Sequence, residues 1–232
     1  MNDAKVISRQ ATAFPVLALF FASTIGVALI GLRAGWTHNW YNLFLVWNLF
    51  LAWLPLIFAL AVYDRHQRGE RGGWRFCGLA SLWLLFFPNA PYIFTDLVHL
   101  TTRFRAHFWV DLSLVLLVAF TGFLLGFVSL YLMQSVVAER LGRAASWLFI
   151  LAVSWLSGFG IYLGRFLRWN SWDVVMRPWG LSQAIGNLAA HPLANPTSVI
   201  FPMLFATFLF LGYLMLYALT HLQPPQPQRV TV

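Results

Sequence analysis

Long, largely uncharged runs recur along this chain, and polar residues collect between them instead of alternating with apolar ones. Six runs are long enough to cross about 30 Å of hydrocarbon at about 1.5 Å per helical residue. They are Thr12 to Leu32, Asn42 to Tyr63, Phe76 to Leu100, Val110 to Met133, Ala144 to Leu167 and Ser198 to Thr220. Each is apolar on every face, whereas a barrel strand needs apolar/polar alternation in segments of about ten residues. The pattern predicts an all-α, polytopic membrane protein of six transmembrane helices, forming a single transmembrane domain over residues 1–222. The end of the chain, "LQPPQPQRVTV", has nothing apolar to pack, and residues 223–232 are expected to be a disordered tail.

The third run is irregular: "FFPNAPYIFTDLVHL", Phe86 to Leu100, carries Pro88 and Pro91 within one turn. Each proline lacks an N–H and crowds the carbonyl four residues back, so the helix is expected to kink or break between Pro88 and Pro91. Phe87 and Ala90 precede prolines and are expected to leave helical dihedrals. A break inside a membrane requires the freed carbonyls to meet other protein groups or a wet cavity. Asn89 is expected to cap the restarting helix, with Pro91 in its first turn. Beyond it Asp96, His99 and Arg103 are spaced i, i+3 and i+7 on one face. Asp96 and His99 suit a divalent metal, or proton transfer by His99 with Asp96 fixing its tautomer. The plainer reading pairs Asp96 with Arg103 or with an arginine of another span.

A second polar group closes the fifth run, "GFGIYLGRFLRWNSWD", with Arg165, Arg168, Asn170 and Asp173 among Tyr162, Trp169 and Trp172. Two readings stand: arginines snorkelling to the headgroups beside an aromatic belt, or a guanidinium clamp for phosphate or carboxylate. Residues 171–196 are too polar to span and too apolar for a free loop, and predict an interfacial helix near Leu181 to Ala190 that roofs the site. His191 is read as a surface residue. Gly122/Gly126 and Gly160/Gly164 have the spacing that lets helices approach closely, within the chain or in self-association. Asn48, inside the second run, is read as an interhelical hydrogen bond.

Composition supports the membrane class: 60% of the 232 residues are hydrophobic and 9% charged, against about 25% charged in soluble domains. The net charge of +8 does not point to nucleic acid, because the arginines sit in short connections instead of one basic domain. Nine Lys/Arg (Lys5, Arg9, Arg65, Arg68, Arg71, Arg75, Arg140, Arg143, Arg229) fall on the side of the termini and six (Arg33, Arg103, Arg105, Arg165, Arg168, Arg177) on the other. This excess places both termini in the cytoplasm. The first run, preceded by Lys5 and Arg9 and lacking a small-residue cleavage site, is expected to be retained. A single cysteine, Cys77, allows no intrachain disulfide. By depth, the counter-ions expected for Arg165 are Asp96 and Asp111.

"FFPNAPYIFTDLVHL" taken with "GRFLRWNSWD" resembles a bacterial integral-membrane family, domain-of-unknown-function family 1361, over most of residues 40 to 220. The resemblance implies one multi-span domain in a bacterial inner membrane, and it marks Asn89, Pro91, Tyr92, Thr95, Asp96, His99, Arg165, Arg168, Asn170 and Asp173. It implies no activity or cofactor. P-loop, HExxH, G-x-S-x-G and metal-type cysteine motifs are missing from the sequence.

Three functions stay open: a scaffold or assembly partner in contact with membrane lipids, an outer-leaflet enzyme acting on a phosphate-bearing lipid or amphiphile, and a small transporter. In the enzyme, Asp96 and His99 are catalytic, while Asn89, Tyr92, Arg165, Arg168, Asn170 and Asp173 bind the ligand. A topology reporter fused after Arg71 is expected to read cytoplasmic and one fused after Arg105 external; the reverse pattern inverts every assignment of side.

Overall fold

A computed structural model describes residues 9–70, 72–100, 107–191 and 195–221, with side chains from residue 13 onward. Among these residues six helical segments are long and apolar enough to cross a membrane, and the protein is an all-α, multi-pass membrane protein. Helix α1 (Arg9–Thr37) leads through a 3₁₀ turn (Tyr41–Leu43) into α2 (Phe44–Gln67). The third span is α3 (Trp74–Phe86), a short α4 (Asn89–Tyr92) and a 3₁₀ segment (Ile93–His99). Then follow α5 (Phe108–Leu141), α6 (Arg143–Phe166), the short α7 (Asp173–Met176), α8 (Pro178–Ala190) and α9 (Thr197–Thr220). Arg71, Arg103, Arg105 and the 223–232 tail lie outside the described residues.

Helix α5 is the axis of the bundle: α1, α2, α4, the 3₁₀ segment and α6 all pack on it, α3 packs on α2, and α9 packs on α6. We call the end where α1 begins and α9 ends proximal, and the opposite end distal. At 34 residues α5 is longer than its apolar run, and the extra turns carry Glu139 and Arg140 past the end of that run. There Glu139 Oε2 lies 2.7 Å from Nε2 of buried His66. Arg140 donates from Nε to His66 Nδ1 at 3.4 Å and stacks over the Phe76 ring at 4.1 Å. The proximal ends of α2, α3 and α5 are thus tied by charge-assisted contacts.

The third span breaks where the prolines require. Regular helical bonding in α3 ends with the Phe87 amide on the Trp83 carbonyl (2.8 Å), after which Ala90 and Tyr92 bond only to Phe87 and Pro88 (3.2 and 3.0 Å). Two side chains close the exposed carbonyls: Asn89 Nδ2 donates to Phe86 O at 2.9 Å, and Ser171 Oγ donates to Leu85 O at 3.1 Å. Two expectations are corrected. Asn89 makes no cap on the restarting helix; it faces back to the carbonyls of the helix that has ended. Phe87 keeps helical dihedrals (φ −53°, ψ −41°), because packing on both sides outweighs the pre-proline clash.

That packing comes from four glycines. A Cβ on Gly122 would stand 2.8 Å from the Ala90 carbonyl oxygen, and one on Gly126 would stand 3.1 Å from the Ala90 Cβ. From α6, Gly160 faces Pro88 (3.1 Å) and Gly164 faces the Tyr92 ring (3.3 Å). The close approach predicted from the glycine spacing is realised, with the chain's own broken span as partner, so these faces are filled from within. A second close contact joins α6 to α9, where a Cβ on Gly158 would collide with the Pro202 carbonyl oxygen.

Replacing Gly122 or Gly158 by alanine is expected to destabilise the protein by about 1–3 kcal/mol through overpacking. Gly31→Ala, where a Cβ meets nothing within 4 Å, is expected to be neutral or stabilising. Thermal unfolding of the three variants in detergent micelles reads the difference, and equal behaviour of all three contradicts the packing assigned to the glycines.

Candidate functional site at the distal end

The restarted third span winds as 3₁₀ helix, three residues per turn, so Asp96 and His99 eclipse one another on one side of it. Asp96 is 2% exposed and both its oxygens are taken. Asn48 of α2 donates to Oδ2 at 2.8 Å, and Arg165 of α6 donates from Nη1 to Oδ1 at 3.2 Å. Arg165 also reaches His99 with Nη2, 3.1 Å from Nε2, while its guanidinium lies 6.0 Å from the centre of the Tyr92 ring. A guanidinium only donates, so His99 Nε2 accepts and the ring proton sits on Nδ1, 3.2 Å from Tyr41 Oη. Arg165 therefore fixes the His99 tautomer, the part expected of Asp96, and Tyr41 Oη accepts from the Nδ1 proton. His99 Nε2 is 3.8 Å from Asp96 Oδ1.

Beside this cluster lies another, built on Asp111 at the start of α5. Arg33 of α1 forks onto it, Nε to Oδ1 at 2.7 Å and Nη2 to Oδ2 at 2.9 Å, and also donates to Thr37 Oγ1. Asn42 adds a third bond to Oδ1 at 2.9 Å. Asp111 is thus the partner of Arg33 and not of Arg165, because a matching depth does not say which helix faces which. Tyr41 and Asn42 are neighbours in the 3₁₀ turn between the first two spans, one bonded to each cluster. The turn joins them into a network of two carboxylates and two guanidiniums, the compensation that charges near hydrocarbon need.

The structure brings Asp96, His99, Arg165 and Tyr92 together and sets the other expected site residues apart. Asn89 Nδ2 bonds Ser171 Oγ (3.0 Å) at the break. Asp173, buried at 2% exposure, braces its own loop: the Asn170 amide donates to Oδ2 at 2.8 Å and Arg177 Nε to Oδ1 at 2.9 Å. The Asn170 amide first, and Arg177 with it, hold its carboxyl below the usual carboxylate range. Arg168 is exposed, its backbone in the left-handed region (φ 59°), and no described carboxylate pairs with it. A helix exists there as α8, beginning three residues before the predicted start. It buries none of its residues and packs on α7 and the Trp169 ring.

Asn48, read as an interhelical hydrogen bond, is one, with Asp96 as acceptor. Tyr41, Asn42, Arg33 and Ser171 went unnoticed. For Arg33 a signal existed, since an arginine ending the first span stands at the depth of an aspartate opening the fourth. For metal binding, Asp96 and His99 supply two ligands, and among the described residues no three His, Cys, Asp or Glu side chains converge. Arg165 occupies the gap between Asp96 Oδ1 and His99 Nε2 that a cation would need.

Ser171→Ala removes the donor to the Leu85 carbonyl and is expected to cost about 1–3 kcal/mol, the penalty of a partly buried acceptor left unsatisfied. Hydrogen exchange of the Asn89–His99 amides, measured in micelles, should speed up in this variant; unchanged protection contradicts the role given to Ser171.

Comparison with known proteins agrees with the motifs. The family model described as "Protein of unknown function (DUF1361)" matches residues 47–212, which include the broken span, the Asp96–Arg165 pair and the Asn170–Asp173 loop. Neither a curated protein nor a solved structure matches the chain. A match over well more than half of the sequence, with both motifs in place, makes this membrane protein a member of the DUF1361 family.

Proposed function

We propose that the protein is a scaffold or assembly partner of the bacterial inner membrane, non-catalytic, with both termini in the cytoplasm and the Asp96 network at the external face. The excess of Lys and Arg on the proximal side supports that orientation. One observation carries the reading: the Asp96 carboxylate is fully enclosed, with both oxygens committed to groups from two other spans. A general base needs a lone pair within reach of substrate, whereas this carboxylate is a tie between helices. The network fixes the distal rim, where Trp36, Trp40, Trp109 and Trp179 stand exposed. Exposed aromatics at that level suit a lipid interface and a partner's apolar surface.

The alternative, an outer-leaflet enzyme acting on a phosphate-bearing amphiphile, is favoured by two observations. His99 is 34% exposed, the open member of an otherwise closed cluster. Arg168 is exposed nearby in sequence to Arg165 and offers a guanidinium to an anion.

Asp96→Ala leaves the partly buried Arg165 without its counter-ion and is expected to cost up to about 3–5 kcal/mol. Exchanging the charges, Asp96→Arg with Arg165→Asp, tests the function. For a scaffold the swapped protein is expected to regain thermal stability in micelles together with the native complex seen on blue-native gels of membranes. Recovery of stability without recovery of the complex contradicts the scaffold reading and favours a ligand that reads each charge in place.

A further inference from the structure

Helices α2 and α6 both end on a residue in the left-handed region, and they fill that position differently. After α2, Gly69 (φ 80°) turns the chain so that the Glu70 amide returns to the Arg65 carbonyl at 3.0 Å. After α6, Arg168 (φ 59°) makes a similar reversal, and the Trp169 amide returns to the Leu163 carbonyl at 3.1 Å. Glycine adopts this conformation freely, whereas the Cβ of an arginine crowds the carbonyl that follows it. The other non-glycine residue with positive φ among the described residues is His38, a type that enters the region more readily.

Nothing the arginine does for the fold offsets that strain. Among the described residues no ion pair or side-chain hydrogen bond engages it. The three distal carboxylates each hold another arginine: Asp111 holds Arg33, Asp96 holds Arg165 and Asp173 holds Arg177. The C-terminal dipole of α6 already has Arg165 in the last turn. A strained position kept by a side chain without a structural task points to a ligand for that side chain.

We infer that Arg168 binds the phosphate of a membrane phospholipid. A guanidinium presents two parallel N–H groups that match two phosphate oxygens. Its neighbours give the source of the phosphate. Arg168 directly follows Phe166 and Leu167, both exposed at the end of a membrane span, and Trp172 stands exposed four residues on. These apolar side chains suit the glycerol and first acyl carbons of a lipid whose phosphate lies level with the end of the helix, and they offer nothing to a soluble anion. The site is separate from the Asp96 network, so it goes beyond the scaffold reading and does not rest on it.

The experiment titrates the full-length protein in a nonionic detergent with dioleoylphosphatidylglycerol and counts bound lipids by native mass spectrometry. One equivalent is expected to bind ahead of the rest. Arg168→Gly should weaken that equivalent about three- to tenfold, the range of a charge-assisted pair open to water. The same variant should melt no lower than the wild type, because glycine relieves the backbone, so lost binding does not reflect unfolding. Equal lipid affinity in Arg168→Gly, or dioleoylglycerol binding as tightly as the phospholipid, overturns the proposal. Inorganic phosphate binding as tightly as the phospholipid overturns the lipid source, and a lower melting temperature of Arg168→Gly shows the arginine to be structural and overturns it as well. No partner protein enters these readouts, so their failure is distinct from failure of the scaffold reading.

Discussion

A proline pair inside a membrane span leaves carbonyl groups that lipid cannot satisfy, and the architecture of this protein is organised around meeting that demand. The carbonyls of Leu85 and Phe86 are closed by side chains, Ser171 from the loop after α6 and Asn89 from the break itself. For Ser171 to arrive there, α6 must lie against the broken span, and Gly160 and Gly164 allow that approach. Having arrived, α6 presents Arg165 to Asp96 one turn beyond the restart. The break, the glycine contacts and the ion pair therefore depend on one another.

The same logic explains why the charges sit where they do. An isolated aspartate near hydrocarbon would neutralise or turn away, but Asp96 meets an amide and a guanidinium from two different helices. Asp111 has the same arrangement with Asn42 and Arg33. Each carboxylate thereby ties three elements, and the Tyr41–Leu43 turn ties the two carboxylates' clusters together. A tie of this kind sets geometry more than it adds stability, because desolvation offsets most of the attraction between buried charges.

Much of this was legible in the sequence, for physical reasons. Apolar length fixes the number of spans, proline fixes the site of the break, and the cost of burying charge requires that Asp96 meet an arginine. Orientation about each helix axis was not legible. Depth alone made Asp111 as good a partner for Arg165 as Asp96, and only the packing of α1 on α5 gives Asp111 to Arg33. Asn89 read as a helix cap because asparagine favours that position, yet the carbonyls behind it offered a buried acceptor and the amides ahead did not need one. Asp173 read as part of a ligand clamp, and its loop folds back so that the Asn170 amide and Arg177 consume it. Tyr41 lay in a short connection that carried no periodic signal at all.

The central claim is that the Asp96–Arg165 contact, not either residue alone, holds the distal half of the third span. A double-mutant cycle tests it most directly: Asp96→Asn, Arg165→Gln and the pair together, with unfolding free energies measured in one micelle system. The account predicts a coupling energy above about 1 kcal/mol, the double variant being less damaged than the sum of the single ones. Losses that add within about 0.5 kcal/mol would contradict it, because the two side chains would then act independently of the contact between them.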